Sequence, residues 1–482
     1  MRIAVACVAL SLLAAPALAA ESGDDMRQFL AKRQARDAEV ARAIWDFAEV
    51  GYQETKSSAL LQQELTKAGF KIEAGVAGMP TAFVASAGSG KPVIGILAEY
   101  DALPGITQDA VPERKSVAGK LSGHACGHHL FGTASVSSAI AVADWLKTSG
   151  TPGTIRVYGT PAEEGGSGKV YMVREGLFND VDVVMHWHAD DMNAAGLDRS
   201  LANKTAKFRF HGVSAHASGA PDLGRSALDG VEAMNAMANL MREHIPSDAR
   251  MHYVITSGGS APNVVPDFAE SYFYVRHADP AMVVQIFDRL VKTADGAALG
   301  TGTRMEYEVI GGVYNLLSNE PLARMMHAKL SAVGGVKYSP EERAFAEKVY
   351  GSLNAPTMKL GSEETVQAFD FERPGVGSTD VADVSWTVPT VGLRTATWVP
   401  GTPGHSWQAT AAGGMGIGYK GMNVASQTLA LMGQELFTNP GLIAAARAEF
   451  EMQRGPDFQY QPLLGDRKPA LDYRRGVPGG GD

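Results

Sequence analysis

Three short segments bring together side chains of the kinds that hold metal ions and move protons. His124-Ala125-Cys126-Gly127-His128-His129 puts one thiol and three imidazoles within six residues. Thiolate and imidazole both suit zinc-like divalent ions. The Cys126-x-His128 spacing, with Gly127 allowing a tight turn, lets one short loop before a helix aim both at a single pocket. Pro161-Ala162-Glu163-Glu164-Gly165-Gly166 carries two adjacent carboxylates, which rarely serve packing because buried like charges repel. They suit a division of labour in which one binds metal. The other takes a proton from an acidified water and passes it to a leaving nitrogen. His186-Trp187-His188 follows an apolar run, and a strand would set both imidazoles on one face. His405 lies in Gly401-Thr402-Pro403-Gly404-His405-Ser406-Trp407, too rich in Gly and Pro to be a helix face. Together these residues point to metal-assisted hydrolysis. A Cys126 nucleophile activated by nearby imidazole is the competing chemistry, but it leaves the paired glutamates without a task.

The elements that must position them read as α/β. Val93 to Ala98 is a nearly continuous apolar run, as in a strand buried on both faces, and it empties into Glu99-Tyr100-Asp101-Ala102-Leu103-Pro104. Thr154 to Gly159 empties into PAEEGG, and Val181 to Met185 into His186-Trp187-His188. Three strands thus end in ionisable residues, which predicts a site along one edge of the sheet. Helices are expected over Asp24 to Gly69 and Phe131 to Leu146. From Leu201 to Gly312 the pattern changes. Strands Thr205 to Val213, Met251 to Thr256 and Phe268 to Arg276 and helices Ser226 to His244 and Pro280 to Ala298 predict an inserted α+β sandwich. The main domain resumes with a helix over Asn319 to Val333, a long polar region and a helix near Gly418 to Phe437. The expected division is therefore 1–20 leader, 21–200 and 313–438 catalytic domain, 201–312 insert, and 439–482 a tail, helical at first and then partly mobile.

Bulk properties narrow the classes. The 482 residues are 45% hydrophobic and 20% charged, and 52 acidic against 43 basic side chains leave a formal charge of −9. Without a Lys/Arg block, nucleic acid is not an expected partner. Arg2, the apolar run Ile3 to Ala15 and the small-x-small site Ala17-Leu18-Ala19 read as a secretory signal peptide, too short to span a bilayer. A periplasmic or secreted enzyme follows, with no membrane contact after cleavage. Of the two cysteines, Cys7 leaves with the leader, so the mature chain keeps Cys126 alone and forms no internal disulfide.

PAEEGG, HACGH and GTPGHSW resemble the metallopeptidase family of aminoacylases, carboxypeptidase G and the plant auxin-conjugate hydrolases. VYMVREGLFNDVDVVMHWH, GRSALDGVEAMNAM and GSTDVADVSWTVPT are similar to its subgroup acting on p-aminobenzoyl-glutamate, and the likeness spans essentially the whole mature chain. The resemblance implies a zinc-exopeptidase-like catalytic domain, a mixed sheet flanked by helices, with an inserted lid and dimerisation domain. It implies two divalent ions, Zn²⁺ or Mn²⁺ and possibly Co²⁺, held by Cys126, His128, Glu164, His188 and His405. It makes Glu163 the general base and His216, often reaching across a homodimer, the group that stabilises the oxyanion. Asn263 and Arg276 take the positions that hold the substrate carbonyl and carboxylate. The implied substrate is an N-acyl amino acid, with a dipeptide as the near alternative. Because the subgroup includes enzymes of two related subunits, a related partner or a non-catalytic role is the other alternative. The chain departs from the family at His129, where Asp is usual, at the Glu99/Asp101 pair, and at Gly377-Ser378-Thr379-Asp380, leaving the roles of His129, Asp101 and Asp380 open.

Overall fold

The apolar run Val93–Ala98 is buried along its whole length and occupies the interior of a six-stranded sheet. The structure is a computed structural model that describes residues 15–372 and 377–475, with side chains from residue 24 onward. Of the leader expected over residues 1–20, residues 1–14 lie outside the described residues and 15–20 open helix Ala15–Phe47; no described helix is long and apolar enough to cross a membrane. The sheet runs in the order Lys71–Ala74, Phe83–Ser89, Gly153–Gly159, Val93–Ala98, Val183–Met185, Thr390–Val391. The first two pairings are antiparallel and the other three parallel. This is the mixed α/β sheet expected. Its parallel half has the consequence that matters here: the C-terminal ends of Val93–Ala98, Gly153–Gly159 and Val183–Met185 lie along one edge, where ligands bind in open α/β sheets.

Helix His128–Ser149, rich in small buried residues, lies on the sheet and packs against helices Ala15–Phe47 and Gly416–Thr438. It begins three residues earlier than its apolar pattern suggests, so His128 and His129 occupy its first turn and not a preceding loop. The reason is Gly127, which caps the helix with φ 79°. A Cβ there would also sit 2.4 Å from that of Ala189, so glycine is required on both conformational and steric grounds.

The insert has a second, separate core. Its antiparallel sheet runs Arg250–Ser257, Phe268–His277, Ala202–His211, Arg304–Val313, with helices Ala227–Met241 and Pro280–Thr301 packed on one face. Phe208, Phe210, Phe273, Phe287 and Leu290 fill that face, each worth about 1.5–3 kcal/mol when fully buried. Alternation sends Tyr272, Tyr274 and Arg276 to the other face. The fourth strand, Arg304–Val313, escaped the sequence reading because its outer half is mostly exposed and shows no apolar stripe.

Two regions differ from expectation. The long polar region contains the capped helix Pro340–Gly351, the short helix Val381–Ser385 and the sheet strand Thr390–Val391. The tail after helix Pro440–Arg454 was expected to be partly mobile; residues 455–475 are pinned to the core, and residues 476–482 lie outside the described residues. Leu463 and Leu464 are buried, and the Tyr460 hydroxyl donates to Asp383 at 2.7 Å.

Candidate metal centre

At the sheet edge the three ionisable segments converge. The ligand atoms of Cys126, His128 and His188 lie within 4.8 Å of one another, as do those of Cys126, Glu164 and His405, and those of His128, Glu163 and Glu164. Cys126, Glu163, Glu164, His188, His405 and Arg276 all line one cavity of about 970 Å³.

Each donor is aimed by something behind it. His128 Nδ1 lies 2.9 Å from Asp101 Oδ1, so the ring donates there and turns the Nε2 lone pair inward. His188 Nδ1 donates to the Ala189 carbonyl at 2.7 Å, which leaves its Nε2 facing Cys126 Sγ at 3.5 Å. The fully buried Trp187, whose indole donates to the Phe131 carbonyl, anchors the turn from which His188 emerges. His405 adopts φ 58°, a left-handed backbone uncommon outside glycine, and its amide donates to the Ala125 carbonyl beside Cys126. Its Nε2 comes within 3.1 Å of Glu164 Oε1.

The electrostatics are those of a site crowded with anionic groups. Burial holds Glu163 well above the usual carboxylate range, and the carboxylates of Glu99, Glu164 and Asp380 add to it. Burial alone would depress His128, but Cys126, Glu99 and Asp101 outweigh it and raise it well above the ordinary imidazole value. Cys126 and then Glu164 push His405 up to about 11. His188 goes the other way, well below its usual value through burial and the nearby Arg394. His128 Nε2, Glu99 Oε2 and Glu164 Oε1 are buried without a hydrogen-bond partner; His128 Nε2 and Glu99 Oε2 sit 3.1 Å apart, outside hydrogen-bonding geometry. Orphaned buried donor atoms cost free energy unless something coordinates them. Mixed S, N and O donors around them fit divalent transition-type cations.

The local sequence contained more histidine than the centre uses. His124 and His129 are buried away from the cavity, bonded to the carbonyls of Ile44 and Gly413, and burial pushes His129 down to about 3. His186 lines the cavity but stands outside the donor cluster, packed against Gly392, where a Cβ would lie 2.4 Å from its ring. The expected pair on one strand face is not formed, because the strand ends at Met185.

The insert delivers only part of its share. Arg276 reaches the cavity wall with a buried Nε that has no partner. His216 and Asn263 do not line the cavity; they are exposed and neighbour each other on the insert's loops, where the Ala217 amide donates to the Asn263 carbonyl. Sequence reasoning missed Lys169, fully buried, with Nζ 2.7 Å from both Glu99 and Asp380. It also missed Glu54, which accepts from the Ala162 amide at 2.8 Å. A lysine in the first turn of the mostly apolar helix Gly168–Arg174 was the available signal. Asp380, whose role the sequence left open, is the counter-ion of Lys169.

The fold is an α/β domain whose sheet edge gathers a cluster of possible metal ligands, joined by a two-layer insert. Residues 202–300 match the family model of the peptidase dimerisation domain. Over 461 residues, 90% of this chain and 96% of that protein, the sequence is 40% identical to one of the subunits of the p-aminobenzoyl-glutamate hydrolase of Escherichia coli (strain K12). The chain therefore belongs to the M20 family of metallopeptidases and amidohydrolases, and is a hydrolase of that family. It is also 27% identical to the Xaa-Arg dipeptidase of Mus musculus, over 86% of this chain and 88% of that one. Among solved structures, a dinuclear metal-binding peptidase of the M20 family from Bacillus subtilis shares the fold, with a TM-score of 0.57 at 18% identity, covering 84% of this chain and 98% of that one.

Proposed function

We propose that the chain hydrolyses the amide bond of N-acyl amino acids, with p-aminobenzoyl-glutamate as the first candidate, using Glu163 as general base. The observation that carries this reading is the overlap of two three-residue donor sets at Cys126, beside the half-buried Glu163, which a third set joins to His128 and Glu164. Cys126, His128, Glu164, His188 and His405 would hold two divalent ions, as in the dinuclear relative. The ions would supply Lewis acidity towards the scissile carbonyl and acidify the attacking water.

The remaining steps belong to the chain. Glu163, poised to hold a proton by its buried surroundings, takes one from the water and returns it to the leaving nitrogen. Arg276, at the cavity wall with a guanidinium that also donates to Ser378 at 3.5 Å, pairs with the substrate carboxylate. His216 Nδ1 accepts from the amides of Ser218 and Gly219, so in the neutral ring the proton sits on Nε2, free to donate to an oxyanion. Because His216 and Asn263 are remote from the cavity within one chain, they act on the site of a second copy or of a related chain. The exposed edge strand Arg250–Ser257, with Val254 and Ile255 outward, offers the joining surface.

The test is metal content and turnover together. Wild type should carry about two ions per chain and lose activity on chelation. Glu163→Gln should keep the ions and lose about 10²–10⁴-fold in kcat. Full activity in metal-free protein, or inhibition by thiol alkylation alone, would return the reaction to Cys126. A substrate panel that includes dipeptides decides between the acyl-amino-acid reading and the dipeptidase reading that the 27% relative supports. The signal peptide, and with it a periplasmic or secreted location, rests on residues 1–20; an intact N-terminus on protein recovered from its native host would sink it.

A further inference from the structure

The loop that carries Glu163 and Glu164 is irregular backbone. Ala162 and Ser167 both have φ 58°, Gly165 has φ 94°, and Glu164 itself leaves helical geometry with ψ 63°. Such a loop cannot hold its own shape by a hydrogen-bond ladder and must be held from outside. On the core side, the Ala162 amide donates to Glu54, the Glu164 amide donates to Asp101 at 2.9 Å, and the Gly166 carbonyl accepts from Tyr52 at 2.8 Å. The Glu164 carbonyl is held from the opposite end of the chain. It accepts from the Tyr473 hydroxyl at 3.0 Å and from the Arg474 guanidinium at 2.6 Å.

Residues 455–475 reach that position as a strap with anchors along its length. Arg174 donates to the Arg467 carbonyl at 2.8 Å, and Arg467 pairs with Glu308 of the insert at 3.2 Å. Gln53 donates to the Leu471 carbonyl at 2.8 Å, and the Tyr473 ring stands edge-on to Tyr52 with centroids 5.6 Å apart. The fit is close: a Cβ at Gly51 would collide with the Tyr473 hydroxyl.

We infer that the strap is a working part of the active site, with Tyr473 and Arg474 as positioning residues that fix the Glu164 peptide and thereby the aim of the Glu163 and Glu164 carboxylates. The inference rests on the roles given above to those two glutamates, while the strap's contacts stand without it. Misplacement of a reacting group by about 1 Å can cost about 10²-fold in rate.

The experiment uses the full chain and the variants Tyr473→Phe, which keeps the ring, Arg474→Ala, their double, and Arg474→Lys in place of Arg474→Ala. The double variant should lower kcat on p-aminobenzoyl-glutamate by about 10–100-fold with little change in KM. It should release Zn²⁺ to a competing chelator about 10–100-fold more readily. Amide hydrogen exchange should accelerate in residues 162–168 and stay at wild-type rates elsewhere, and Arg474→Lys should restore part of each loss. A folded double variant with wild-type exchange in that loop and wild-type Zn²⁺ retention overturns the inference. So does acceleration spread over the whole chain, which would make the pair merely structural. If wild type turns over no amide in the panel but loop exchange and Zn²⁺ retention still respond, the proposed substrate reading has failed and the strap has not.

Discussion

The floor of the cavity and the wall supplied by the insert follow opposite plans. On the floor, His128 is backed by Asp101, His188 by the Ala189 carbonyl, and the paired glutamates by Glu54, Asp101 and the strap. On the insert, Arg276 reaches the cavity, but His216 and Asn263 stand exposed on loops. One chain by itself thus gathers and braces the donor cluster, while two of the three residues expected from the insert stand away from the cavity.

That contrast can be broken most decisively at His216. Removing an oxyanion donor costs about 10²–10³-fold in kcat, so His216→Ala should fall by that much although its side chain lies outside the cavity of its own chain. Mixing His216→Ala with Glu163→Gln should then restore activity, since a heterodimer has one site with both groups intact; in a random mixture that is roughly a quarter of all sites. Two inactive chains that stay inactive when mixed, under conditions where protomers exchange, would show that His216 acts in its own chain or not at all. Arg276→Ala tests the one insert residue that does reach the floor. Its loss should raise KM by about 30-fold or more, ~2 kcal/mol, for substrates with a free carboxylate. Substrates whose carboxylate is amidated should be affected far less, and equal effects on both would remove the carboxylate role.

A smaller effect probes the brace on the floor side. Burial pushes Asp383 up to about 8, helped by Asp380, although Tyr460 and the Tyr314 amide donate to it and pull the other way. Its unfolded value is near the usual ~3.9. The folded state therefore binds the proton more tightly, so the stabilising contribution is full below about pH 4 and is lost as pH rises through about 8. Melting temperature should fall between about pH 5 and about pH 8, and Asp383→Asn should flatten that fall. An unchanged slope in the variant would assign the pH dependence elsewhere.

Much of this was legible in the sequence for a physical reason. A buried parallel strand must be apolar throughout, so Val93–Ala98 declared itself, and polar residues past its end had to lie at the sheet edge. The HACGH and PAEEGG clusters were equally legible, since no packing role explains so many ionisable groups side by side. Density alone did not say which imidazoles would serve. Of the three near Cys126, His128 joins the donor cluster, whereas helix geometry turns His129 towards Gly413 and the preceding turn sends His124 to Ile44. Lys169 stayed hidden because a cation in a short helix that also carries Arg174 reads as surface until Glu99 and Asp380 are seen on either side of it.

Side-chain type, apolar periodicity and short spacings were enough to read hydrolase chemistry, the α/β plan and a set of candidate metal ligands. Which of those donors meet depends on tertiary packing. The contacts that aim them join positions hundreds of residues apart: Arg474 to Glu164, Asp380 to Lys169, His405 to Cys126. Packing of strands, insert and strap makes those contacts, and no local pattern encodes them.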